Sequence, residues 1–110
     1  MWTPISKIDL QDLISRAESV LTDNMYRFWK LINVEPEKWR EKEYGDEGGG
    51  FWIVAILGNN VIYYNDIEEG FNISEYEVYG EIKEYWCNQS DLDWEIIRLY
   101  NSIIEKPLTR

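Results

Sequence analysis

Leu10, Leu13, Ile14, Ala17, Val20 and Leu21 recur at spacings of three and four, the pattern of an amphipathic helix over residues 9–21. Pro4 and Ser6 stand just ahead, and Ser6 with Asp9 resembles a capping box in which Asp replaces the usual Glu. Thr22-Asp23-Asn24 interrupts the pattern. Over residues 25–34, Tyr26, Phe28, Ile32 and Val34 share one parity, interrupted by Lys30, and predict a strand. Residues 35–50 are charged and rich in glycine, although Trp39 and Tyr44 are large anchors within them. This predicts a connecting loop with room for a helical turn after Pro36.

Two apolar runs follow, Phe51 to Leu57 and Val61 to Tyr64, separated by Gly58-Asn59-Asn60, residue types that tolerate the positive φ of a tight hairpin turn. After an acidic loop, Tyr76, Val78, Ile82 and Trp86 alternate with Glu77, Tyr79, Glu81, Lys83 and Tyr85, as in a half-buried fourth strand, with Gly80 marking a bulge or a close backbone contact. A second helix begins after Ser90, whose hydroxyl can cap free amides while Asp91 and Asp93 suit the positive helix end. Its stripe is Leu92, Ile96, Leu99, Tyr100 and Ile103, widened by Ile97 and Ile104, and Pro107 ends it. The predicted fold is therefore α+β: a four-stranded, mainly antiparallel sheet with an N-terminal and a C-terminal helix packed on one face, forming a single domain over residues 1–110.

Charge sharpens this picture. Of the formal net charge of −10, residues 43–82 supply −9, since they hold nine acidic residues and no Lys or Arg. Such a one-signed block repels phosphate backbones and anionic membranes and attracts basic surfaces. No apolar run reaches the roughly 20 residues of a membrane helix, and the amino terminus lacks a signal-peptide pattern. The expected setting is cytoplasmic, and the lone Cys87, which cannot form an internal disulfide, fits a reducing compartment.

The chain has no histidine, which removes Ser-His-Asp hydrolysis, Cys-His nucleophile pairs and His-based metal sites. The triple glycine at 48–50 lacks the lysine and following helix of a phosphate cradle and instead gives backbone freedom where a strand begins. A calcium loop around Gly70 fails, because Ile67 and Tyr76 would occupy positions that need oxygen ligands. No cofactor and no bound metal are expected.

One catalytic pattern survives. Asp66 ends the second hairpin strand, and Glu81-Ile82-Lys83 follows, with strand parity pointing Glu81 and Lys83 to one side. This arrangement and the order of elements resemble the PD-(D/E)xK nuclease family. The resemblance implies that Asp66 and Glu81 hold a magnesium ion while Lys83 positions or activates the attacking water. A single Lys in an acidic field is, however, poorly equipped to hold a polyanion.

The reading that uses the charge is a binding one. Tyr63, Tyr64, Phe71, Tyr76 and Tyr79 are interleaved with the carboxylates, and six Trp, eight Tyr and three Phe exceed what a small core accommodates, so some rings should reach the surface. Rings supply desolvated anchors and cation-π faces; carboxylates supply steering and pairing with Lys or Arg. In size and charge the chain is similar to bacterial immunity proteins, which cover a toxin's basic active site. The expectation is a non-catalytic domain that covers a basic protein surface through Asp66, Glu68, Glu69, Phe71, Glu75 and Glu77, with neither nucleic acid nor membrane as partner.

Overall fold

The computed structural model describes residues 2–104 and contains three helices and a four-stranded antiparallel sheet. Helix α1 spans Lys7–Val20 and buries Leu10, Ile14 and Ala17. Ser6 caps it, its Oγ accepting the Asp9 amide at 3.1 Å, which satisfies one of the free donors of the first turn.

The segment expected to be the first strand is helix α2, Asp23–Ile32. Thr22, which looked like part of a break, is its N-cap, with Oγ1 accepting from the Met25 amide. Trp29 and Ile32 are buried, and Met25 and Phe28 are half-buried. Positions 25, 28, 29 and 32 carry a 3.6-residue period, and this prevailed over the parity of Tyr26, Phe28, Ile32 and Val34. Tyr26 is instead 40% exposed, a side chain that a strand would have buried. The Trp29 indole N–H donates to the Glu18 carboxylate at 2.8 Å and ties α2 to α1.

Strand β1, Asn33–Trp39, lies inside the expected loop. Pro36 disguised it, but proline is tolerated on an edge strand, and the pairing with β2 slips between Asn33 and Glu37, where Pro36 sits. A 3-10 turn at Gly45–Gly48 follows. It is stabilised by the buried Glu41 carboxylate, which accepts from the amides of Glu43, Tyr44 and Gly45. Gly49 and Gly50 then both take positive φ, the backbone freedom that a side chain would have denied.

Strands β2, Phe51–Leu57, and β3, Asn60–Asn65, form the expected hairpin, with Gly58 at positive φ in the turn. Strand β4 is Gly70–Glu75, one segment earlier than expected. The order is β1-β2-β3-β4 with every neighbour antiparallel. Helix α3, Leu92–Ile104, starts where predicted; Pro107 lies outside the described residues. No helix among the described residues is long and apolar enough to cross a membrane.

The sheet is covered on both faces, which is why residues 51–57 read as one unbroken apolar run. On one face Val54, Ala55, Ile62, Tyr64 and Phe71 pack with residues of all three helices, including Leu10, Trp29 and Ile96. On the other, Trp39, Phe51, Ile53, Val61, Tyr63 and Ile82 form a second cluster. A bulge in β2, between the pairs Ile53↔Tyr63 and Ala55↔Ile62, turns both Val54 and Ala55 to the helix side.

The expected fourth strand over Tyr76 to Trp86 is not one. Residues 76–90 cross the second face as an irregular strap whose regular pairing is limited to the single bridges Arg40↔Glu81 and Phe71↔Ser90. Polar side chains of the sheet hold its backbone. The Tyr63 hydroxyl accepts from the Trp86 amide, Asn65 Nδ2 donates to the Trp86 carbonyl, and Asn72 exchanges two bonds with the backbone of Asn88. Ser74 Oγ accepts from the Glu84 amide. Outside those bridges and a few turn bonds the strap finds its partners in side chains, and alternation fails: Val78 and Trp86 are 55% and 48% exposed while Ile82 is buried.

Candidate functional site

The six residues expected to bind a partner separate into three environments. Asp66 is buried at the turn after β3, where its Oδ2 accepts the Ile5 amide at 2.8 Å; the Ile5 carbonyl in turn accepts from the Trp52 indole. Asp66 is thus a tether for the N-terminal segment. Burial pushes its carboxyl above the usual range, opposed by the bonds from the backbone and by the charge of Lys38. Phe71 is a core residue and not a surface anchor: it is 3% exposed and its ring meets Tyr64 with centroids 4.8 Å apart.

The four glutamates remain at the surface or partly so, but at opposite ends of β4. Glu68 and Glu69 lie in the turn before Gly70, with the Glu68 amide donating to Asn65 Oδ1 and Glu69 exposed at a φ of 60°. Glu75 closes the strand, and Glu77 follows it. At roughly 3.3 Å per residue, the length of β4 holds the two pairs well over 10 Å apart, beyond one screening length at physiological salt. They do not form one patch.

The three residues of the nuclease-like pattern also have separate surroundings. Glu81 and Lys83 line an open cavity of about 320 Å³ with Arg40, Lys42, Glu77 and Val78. Lys83 Nζ donates to Glu77 at 3.1 Å and lies 3.9 Å from Glu75; the Glu77 bond holds its ammonium above the usual lysine range. Asp66 is bonded to Ile5 and does not line this cavity. Among the described residues there is no group of three or more Asp, Glu, Cys or His placed to hold a metal ion. Cys87 is exposed and unpaired with any other cysteine.

What the structure assembles instead, where the strap leaves β4, is a surface that displays aromatic and aliphatic side chains among carboxylates, with Lys83 paired to Glu75 and Glu77 and with Arg40 and Lys42 nearby. Val78 is 55% and Tyr79 64% exposed, flanked in the chain by Glu75, Glu77 and Glu81, all exposed. Of the five rings interleaved with the acidic residues, Tyr63, Tyr64 and Phe71 are buried and Tyr76 is half-buried, so Tyr79 is the one displayed.

Two contacts from β1 fix Tyr79 in place. Its ring lies tilted over Trp39 with centroids 4.7 Å apart, and its hydroxyl donates to Glu37 Oε1. The same Glu37 oxygen accepts from the Trp39 indole N–H at 2.8 Å. The Trp39 and Tyr79 bonds lower the Glu37 carboxyl below its usual range, so it stays ionised, and the Glu37 bond raises the Tyr79 phenol. Tyr76 stands edge-on to Trp39, with centroids 5.0 Å apart, and its hydroxyl donates to the Gly58 carbonyl.

Glu37 and Trp39 were absent from the residues that sequence reasoning chose. Charge counting drew attention to the lysine-free block after residue 43, and both residues precede it.

No protein-family model matches this chain, and no solved structure matches it. Over 103 residues the chain is 29% identical to "Dynein heavy chain-like protein 2" of Plasmodium falciparum (isolate 3D7), a match that covers 92% of this chain and 2% of that protein's length.

Proposed function

We propose that this chain is a non-catalytic protein-binding domain that covers a basic surface of a partner in the cytoplasm, in the manner of an immunity-type inhibitor on a toxin. The observation that carries the reading is the display of Val78 and Tyr79 among exposed carboxylates at the end of β4. An exposed ring beside an exposed aliphatic side chain supplies area to desolvate, and the surrounding acid supplies steering toward Lys- and Arg-rich surfaces. The binding residues are Glu75, Glu77, Val78, Tyr79 and Glu81. Glu68 and Glu69, at the far end of β4, add to the long-range field.

The experiment is affinity capture from a lysate of the source cells, comparing the wild-type chain with the Glu75→Lys, Glu77→Lys, Glu81→Lys triple variant. Basic proteins retained by the wild type and lost by the variant support the reading. The same proteins retained by both overturn it.

A further inference from the structure

We infer that the outward face of α3 is a seam for a second copy of this chain, along which two α3 helices lie parallel and in register. The helix spends Leu92, Glu95, Ile96 and Leu99 on the interior. On its other side Trp94, Ile97, Asn101 and Ile104 follow one another at spacings of three, four and three, so they share one stripe and read as the a, d, a and d positions of two heptads. The four buried residues then occupy b, c and f, the positions that point away from such a seam. Trp94 is 65% and Ile104 60% exposed, and Ile97 and Asn101 are half-buried. The domain core therefore leaves a second apolar stripe on α3 open.

Charge selects a second copy as the occupant and sets its direction. Asp93 and Arg98 stand at g and e, on either side of the stripe. In a parallel pair each g position meets the e position five residues further along the other helix, so Asp93 meets Arg98 of the second copy, and the two-fold axis makes this contact twice. An antiparallel pair would set e against e and g against g, which brings like charges together. Both groups keep capacity for the contact. Arg98 gives Nε and Nη2 to Glu95 Oε1, at 3.2 and 2.6 Å, which orients the guanidinium; its Nη1 makes no bond among the described residues, and the side chain is 57% exposed. Among the described residues Asp93 makes no ion pair, although Arg16 lines the same groove of about 430 Å³.

Asn101 sets the register and the number of chains. A single Asn at an a position specifies both, at a cost in affinity, since its amide must find its own copy across the axis. Isoleucine at the d positions leans toward three or four strands, and Asn101 holds the number to two. The seam is two heptads long, shorter than a sustained coiled coil, so the dimer is weak and forms at high concentration.

The test is sedimentation equilibrium of the full chain, loaded from about 1 μM to about 1 mM. Physiological salt screens the repulsion between two copies of net charge −10 beyond about 8 Å. A reversible monomer–dimer equilibrium is expected. Trp94→Ala, at an exposed position, should weaken it by about 10-fold or more, and Asp93→Lys should weaken it as well. Asn101→Ile should tighten association and raise the mass past that of a dimer. Direction is read by cross-linking: in a Cys87→Ser background, Asn101→Cys should form a disulfide-linked dimer in a glutathione buffer, because parallel a positions bring the two Cα atoms within the reach of about 4.4–6.8 Å that a disulfide needs. Ser102→Cys, one position around the helix, should not.

A chain that stays monomeric to about 1 mM would overturn the second copy as occupant, whatever else the stripe binds. A dimer unmoved by both Trp94→Ala and Asp93→Lys would overturn the α3 seam. Equal cross-linking from positions 101 and 102, or from neither, would overturn the parallel register.

Discussion

Phe71→Ala separates a core role from a surface role at one position. In the folded chain the ring is 3% exposed, meets Tyr64, and belongs to the cluster that joins the sheet to Leu92, Ile96 and Leu99 of α3. Truncating a buried phenylalanine loses its transfer free energy and leaves a cavity, together about 3–5 kcal/mol. The lost ring pair with Tyr64 is included in that figure and accounts for about 0.5–1.5 kcal/mol of it. Domains of this size have total stabilities of about 5–15 kcal/mol, so the variant should lose about a fifth of its stability or more. At roughly 4–8 °C per kcal/mol, its melting temperature should drop by about 12–40 °C. Urea unfolding followed by fluorescence of the six tryptophans gives the free energy, and calorimetry gives the melting temperature. A variant that keeps wild-type stability to within about 0.5 kcal/mol while losing affinity for a basic partner would refute the core assignment and restore Phe71 as a surface anchor.

Asn72→Ala removes two bonds that hold the backbone of Asn88, so it should cost about 2–4 kcal/mol and speed hydrogen exchange at the Asn88 amide; wild-type protection there would contradict the account of the strap. Thr22→Ala should cost about 1 kcal/mol in urea unfolding through loss of the α2 cap, and no change would mean that the Met25 amide finds another acceptor. The Asp66 carboxyl is raised in the folded chain, so between its unfolded and folded values the folded state binds the extra proton. Its contribution to stability therefore falls as pH rises through the folded value. Asp66→Asn, which can still accept the Ile5 amide, should gain stability relative to wild type as pH is raised from 4 to 7; a constant difference over that window would contradict the burial assigned to Asp66.

Local signals were read well where they were complete within one segment. Helix α1 has its stripe and its Ser6 cap within a few residues, α3 has a wide stripe, and the hairpin has two apolar runs about a glycine turn. The expected sheet of four antiparallel strands with helices on one face stands, although two of its strands lie elsewhere in the chain. The misplacement of α2 arises from a pattern that fits two periods. Residues 25–32 satisfy both a strand parity and a helical period, and only packing of Trp29 and Ile32 against the core decides between them.

In β4, Phe71 and Ile73 alternate with Asn72 and Ser74, a strand pattern overshadowed by the acids on either side. Asn72 and Ser74 are fully buried because the strap lies over them, a relation between segments that no local window contains. The candidate site divides in the same way. The acid around residues 75–81 is plain in the sequence, whereas the immobility of Tyr79 depends on Glu37, 42 residues away.

The proposed function places basic partners on the surface at the end of β4 that carries Glu75, Glu77, Val78, Tyr79 and Glu81. Amide and aromatic NMR shifts of the labelled chain, followed during titration with nona-arginine at low and at physiological salt, test it most directly. The largest shifts should fall on Glu75, Glu77, Val78, Tyr79 and Glu81, extend to Glu37 and Trp39 behind the ring, and weaken as salt is added. Shifts centred on α1 and α2, or shifts that persist unchanged when Glu75, Glu77 and Glu81 are all replaced by Lys, would contradict it.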